Sequence, residues 1–129
     1  MRVLIDSHVA LWLDADRRRL RRKTLQLLTR ASTEVLISTV TCAELAIKLR
    51  RGKLRLDAPL SQWWATRTSA YDWRVLPLLP SHAAAVVDLG GEHRDPFDLL
   101  LAAQARTESV ALVTADPVFA AFGVSVIEA

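Results

Sequence analysis

Arg2-Val3-Leu4-Ile5-Asp6-Ser7-His8-Val9-Ala10-Leu11-Trp12-Leu13 begins with an unbroken apolar run, meets one acid and continues as an amphipathic stretch. A run without alternation suits a strand covered on both faces, because a strand with one wet face would alternate polar and apolar residues. The signature returns in Glu34-Val35-Leu36-Ile37-Ser38 and in Ala111-Leu112-Val113. Strands are predicted at residues 2–5, 34–38, 74–78, 110–114 and 124–127. Helical patterns lie between them at 7–13, 20–31, 41–51, 60–70, 81–89 and 96–107. Strands alternating with helices predict an α/β fold: one domain over residues 1–129, its central parallel sheet of about five strands flanked by helices through right-handed crossovers.

Helix punctuation agrees with this layout. Thr41-Cys42-Ala43-Glu44 has the spacing of a capping box, and Asp95-Pro96-Phe97-Asp98 offers an N-cap acid, a first-turn proline and a third-position acid. Gly52 and the pair Gly90-Gly91 stand where helices would stop.

The chain has 129 residues, 51% apolar and 24% charged, which suits one packed core and excludes a disordered chain. No apolar run approaches the roughly 18 residues of a membrane-spanning helix, and Asp6 arrives too early for a secretory leader. The single cysteine, Cys42, excludes an internal disulfide and a multi-cysteine zinc site. A cytoplasmic protein without a membrane partner is expected.

Charge is unevenly distributed. Residues 1–65 carry 13 Lys/Arg against 6 Asp/Glu, and residues 66–129 carry 4 against 8, so a net +3 divides into +7 and −4. The cations concentrate in Arg17-Arg18-Arg19-Leu20-Arg21-Arg22-Lys23 and between Lys48 and Arg55. Such a face favours polyanions, although an arginine run also reads as a solvated helix face. Arg50, Arg51 and Lys53, just past the helix bearing Glu44, are the candidates for phosphate contact. A helix end that favours cations explains them equally well.

The acids carry the chemistry. Asp6 follows the first strand, Glu44 is expected in the first helical turn after the second, and Asp116 follows the fourth. Asp98 opens the long helix that precedes the fourth strand. In an open parallel sheet, ligands bind at the carboxyl ends of the strands, where these acids should meet. Singly, each acid reads as a cap or a turn residue. Jointly they repel, by about 4 kcal/mol for a pair 4 Å apart at an effective dielectric of 20. The cluster must therefore bind a cation or raise some of its pKa values. Oxygen donors without suitably spaced His or Cys favour Mg²⁺ or Mn²⁺ over zinc. Carboxylate-held ions of this kind meet phosphate oxygens and activate water for phosphodiester cleavage.

Other chemistries lack their residues. There is no Gly-x-x-x-x-Gly-Lys-Ser/Thr phosphate loop and no Gly-x-Ser-x-Gly turn. His8, His82 and His93 have no ligand spacing and are expected at the surface or at strand edges. Trp63-Trp64 reads as core or interface rather than as a base-stacking platform.

Two groups of segments resemble a known family. Leu4-Ile5-Asp6-Ser7-His8-Val9 with Trp12, then the stretch from Ser38 through Glu44 to Leu54, form the first. His93-Arg94-Asp95-Pro96-Phe97-Asp98 with Gln104-Ala105, then Leu112-Val113-Thr114-Ala115-Asp116-Pro117-Val118-Phe119, form the second. In order and across essentially the whole chain, they resemble the PIN-domain ribonucleases, specifically the VapC-like toxins of type II toxin–antitoxin systems. The resemblance implies a parallel sheet between helices and a carboxylate cluster that binds Mg²⁺ or Mn²⁺ to cut RNA. It assigns the core acids to Asp6, Glu44 and Asp98 and the fourth to Asp116, with Asp95 either assisting the metal or capping its helix. It also implies a homodimer restrained by a small antitoxin, for which Trp12, Trp63, Trp64 and Leu45 are candidate interface residues. Leu99 departs from the pattern, standing where relatives commonly carry Arg.

Two other classes compete. A phosphoacceptor receiver domain would need paired acids after the first strand and a late lysine, but Asp6 is alone and no Lys follows Lys53. An inert RNA- or protein-binding module would use the acids only as caps, and Mn²⁺ titration separates it from a nuclease.

Overall fold

The computed structural model describes residues 1–92 and 94–129. Its strands are β1 (Arg2–Ile5), β2 (Glu34–Ser38), β3 (Arg74–Leu76), β4 (Ala111–Thr114) and β5 (Val126–Glu128). The α-helices are α1 (Ser7–Ala15), α2 (Arg22–Thr29), α3 (Thr39–Arg50), α4 (Leu60–Ala70), α5 (Pro80–Ala85) and α6 (Pro96–Thr107). All pairings are parallel, in the order β3-β2-β1-β4-β5. The chain therefore builds outward from β1 to one side, then crosses to the other, and the carboxyl ends of β1 and β4 flank the point of reversal.

The unbroken apolar runs are explained by two cores, one on each face. Val3, Ile5, Val35, Ile37 and Val113 point into a layer with Val9, Leu13, Leu28, Leu45, Trp63 and Trp73. Their alternates Leu4, Leu36 and Leu112 point the other way, onto Leu101, Ala102 and Ala105 of α6 and onto Phe119 and Phe122. Register reinforces this: Leu4 pairs with Leu36 and Leu112, and Ile5 with Ile37 and Val113, so like faces stack across the central strands.

Several boundaries differ from expectation. The predicted helix at 20–31 is a 3₁₀ turn at Arg17–Arg19 followed by α2, and that at 81–89 is α5 followed by a 3₁₀ turn at Val86–Asp88. The third strand ends at Leu76 rather than at 78, and the fifth runs Val126–Glu128. α3 starts two residues early. Ser38 rather than Thr41 is its N-cap, with Oγ accepting from Val40 N at 2.9 Å, so Glu44 falls in the second turn. The stop at Gly52 is as expected, at φ +69°, a left-handed conformation in which glycine carries no Cβ penalty. Among the described residues, no helix is long and apolar enough to cross a membrane.

Two side-chain expectations are corrected. His82 is fully buried, hydrogen-bonded to Glu108, Leu79 and Gln104, rather than at the surface. His8 is exposed as expected, and His93 lies outside the described residues. Trp63 and Leu45 are inside the monomer, at 1% and 0% exposure, so neither presents a surface to a partner. Trp12 and Trp64 remain half-buried against the same core.

Candidate active site

α3 follows β2 and α6 precedes β4, so both helices run against the strands and start at the carboxyl edge of the sheet. That direction brings Glu44 and Asp98 toward Asp6 and Asp116. A cleft of about 260 Å³ is lined by Asp6, Glu44, Asp95, Asp98 and Asp116, with Ser7, His8, Lys48 and Arg51 among its other polar walls. The structure thus brings all five sequence-selected acids together. Of the three selected cations, Arg51 lines the cleft, whereas Arg50 and Lys53 are exposed outside its lining.

Asp6 is the most enclosed acid, at 6% exposure. It ends β1 and caps α1, with Oδ1 accepting from Val9 N at 2.9 Å. The Thr114 hydroxyl donates to Asp6 Oδ2 and accepts from Asp116 N at 3.0 Å, tying the ends of β1 and β4 together. Burial pushes the Asp6 carboxyl above the ordinary carboxylate range; hydrogen bonds from Thr114 and Val9 and the nearby His8 oppose this, and Glu44 adds to it.

Glu44 is held from two sides. Its Oε2 accepts from Ser7 Oγ at 2.9 Å and lies 2.8 Å from Lys48 Nζ, one helical turn along α3. Asp95 caps α6, its Oδ1 accepting from Phe97 N at 2.9 Å and Asp98 N at 3.1 Å. Asp116 caps the 3₁₀ turn Pro117–Phe122 through Val118 N at 3.0 Å. Both capping acids are exposed.

The donor set is all hard oxygen, the chemistry that suits Mg²⁺ or Mn²⁺. Among the described residues, no three His, Cys, Asp or Glu side chains stand close enough to ligate one ion. The acids share a cleft rather than a closed coordination sphere, and Glu44 is spanned by the Lys48 ammonium. Sequence reasoning missed Thr114, Ser7 and Lys48. Thr114 and Ser7 neighbour the selected acids without any charge to mark them, but the i,i+4 spacing of Glu44 and Lys48 was a readable signal.

Comparison with known proteins agrees with this architecture. Residues 3–124 match the family described as PIN domain. The chain is 33% identical over 115 residues to Ribonuclease VapC22 of Mycobacterium tuberculosis (strain ATCC 25618 / H37Rv), covering 88% of this chain and 86% of the relative. Among solved structures it resembles VapBC2 from Rickettsia felis bound to a DNA fragment from their promoter, with a TM-score of 0.72, 15% identity and coverage of 99% and 98% of the two chains. DNA-bound VapBC from Salmonella typhimurium gives a TM-score of 0.71 at 18% identity, with the same coverage.

Proposed function

The chain belongs to the PIN domain family, and from that premise we propose that it is a divalent-metal-dependent endoribonuclease, the toxin of a type II toxin–antitoxin pair. The observation that carries this reading is the cleft at the carboxyl edge of the sheet, walled by Asp6, Glu44, Asp95, Asp98 and Asp116. Asp6, Glu44, Asp98 and Asp116 would hold Mg²⁺ or Mn²⁺, with Asp95 as both helix cap and outer support. An ion held there would supply Lewis-acid chemistry for phosphodiester hydrolysis, by lowering the pKa of water and offsetting charge on the leaving oxygen. The chain's own contribution is positional. Thr114 holds Asp6 against Asp116, Ser7 orients Glu44, and Arg51 at the cleft wall draws the RNA backbone toward the acids. Lys48 neutralises Glu44 and would compete with a metal for its carboxylate.

The names of the relatives support the partner reading, since a further fold neighbour, VapBC-5 from Mycobacterium tuberculosis, is named as a member of the VapBC family of toxin-antitoxin systems. A homodimer, a small antitoxin covering the cleft and a cytoplasmic site of action belong to the same proposal. An antitoxin arginine entering the acidic cleft would compete with the metal.

The function is tested by incubating the purified protein with total RNA plus Mg²⁺, with and without EDTA, and sequencing the new ends. Defined cleavage sites that vanish with EDTA are expected; intact RNA in both samples would refute the reading. Two variants refine it. Lys48→Gln should tighten Mn²⁺ binding by about three- to tenfold, because a competing unit charge beside Glu44 is removed; calorimetric titration measures this, and weaker binding would contradict it. Arg51→Gln should lower the slope of log affinity for RNA against log salt by about one, the effect of one lost phosphate contact. A slope equal to wild type would remove Arg51 from the RNA path.

A further inference from the structure

At the carboxyl end of β2, three fully buried polar side chains from separate segments, Ser38, His82 and Gln104, form a continuous hydrogen-bonded chain. The Ser38 hydroxyl donates to Gln104 Oε1 while its oxygen caps α3 through Val40 N. Gln104 Nε2 donates to Pro77 O at 3.3 Å and approaches His82 Nδ1 at 3.4 Å. His82 Nδ1 also accepts from Leu79 N at 3.0 Å, so that nitrogen holds the lone pair and Nε2–H donates to Glu108 Oε2 at 2.9 Å. Thr39 Oγ1 adds a parallel tie, accepting from Leu78 N at 3.0 Å.

An apolar filling of this volume would exclude water equally well but would tolerate sliding between helices. A satisfied polar chain has directional partners at each step and accepts one register. Its placement gives that register a use. Glu44 lies six residues after Ser38 on α3, and Asp98 lies six residues before Gln104 on α6. At 1.5 Å per helical residue, each acid stands about 9 Å along its helix from the Ser38–Gln104 bond.

We propose that Gln104 is a positioning residue that fixes α3 against α6 and thereby sets the spacing of Glu44 and Asp98, with His82 and Glu108 locking the orientation of its amide. The proposal rests on the metal-nuclease reading above. Removing the amide lets α3 move against α6, which loosens the acid pair without touching RNA.

The test compares wild type with Gln104→Met, Glu108→Gln and Val110→Ala, the last a core truncation on the same face of the sheet outside the network. Each is measured by Mn²⁺ titration, RNA cleavage kinetics, melting temperature and amide exchange over residues 40–44. Gln104→Met should weaken Mn²⁺ binding and lower kcat by about tenfold, the low end of what supporting groups contribute at metal sites, with KM for RNA unchanged. Glu108→Gln, whose partly exposed side chain spares the fold, should shift the same quantities less, in the same direction. Val110→Ala should lower the melting temperature while leaving Mn²⁺ affinity unchanged. Amide exchange at Val40–Glu44 should accelerate in Gln104→Met and not in Val110→Ala. Unchanged Mn²⁺ affinity in Gln104→Met, or an equal loss in Val110→Ala, overturns the proposal. If wild type neither binds Mn²⁺ nor cuts RNA, the nuclease reading fails, and amide exchange alone still decides whether Gln104 holds α3: unchanged exchange overturns it.

Discussion

Asp6→Asn is expected to eliminate RNA cleavage, lowering the rate by about a hundredfold or more, while raising the melting temperature of the metal-free protein. Supporting groups around a metal typically contribute 10–100-fold, so losing a proposed direct ligand should cost at least the upper end of that range. The fold should survive because Asn keeps the volume and an oxygen for Val9 N. Stability should rise because Asp6 is a buried carboxylate whose pKa burial has raised. The linkage has a definite sign. With the folded pKa above the unfolded value, protonation of Asp6 favours the native state; that contribution is complete below the unfolded pKa and is lost as pH rises through the folded one. At neutral pH the wild type therefore carries the cost of a buried charge that the variant lacks. The gain should appear as a higher Tm at neutral pH and should vanish as pH falls toward about 4. Melting curves across pH measure it. Wild-type cleavage by Asp6→Asn would refute the metal role, and a lower Tm at neutral pH would refute the electrostatic account.

Trp63→Ala is expected to cost about 3–5 kcal/mol, enough to leave much of the population unfolded at 37 °C. Trp63 is 1% exposed, packs in the layer with Val9, Leu13 and Leu45, and donates its indole N–H to Asp14 Oδ2 at 3.3 Å. The Arg67 guanidinium lies 5.7 Å over its ring and also bonds Asp14 Oδ1 at 3.1 Å. Truncation removes the packing and one of the partners of a mostly buried carboxylate. Chemical denaturation measures the loss. A change below about 1 kcal/mol would mean that Trp63 is held as a surface residue is held, reviving the interface role that its burial removes.

The fold was legible where a local pattern had one interpretation. Val3-Leu4-Ile5, Val35-Leu36-Ile37 and Leu112-Val113 suited strands covered on both faces, and the order of strands and helices then placed the acids at one edge. Local reading failed where the deciding partner is remote. Thr41 and Ser38 were both chemically able to cap α3, and the choice falls to Ser38 at the end of β2, whose hydroxyl meets Gln104, 66 residues away. His82 resembled a surface residue because its stabilising carboxylate, Glu108, is 26 residues downstream. Trp63 and Trp64 are adjacent and chemically identical, yet the first is fully buried while the second is only half-buried against the same core, a difference of helical phase that composition does not carry. At the site, charge marked all five acids, while the neutral side chains that hold them, Thr114 and Ser7, had no signature.

Calorimetric titration of Mn²⁺ into wild type and Asp6→Asn, without RNA, tests the central claim most directly. The account predicts saturable binding to the wild type and its loss, or a weakening of about a hundredfold, in the variant. Equal binding by both proteins, or no binding by the wild type, would contradict it.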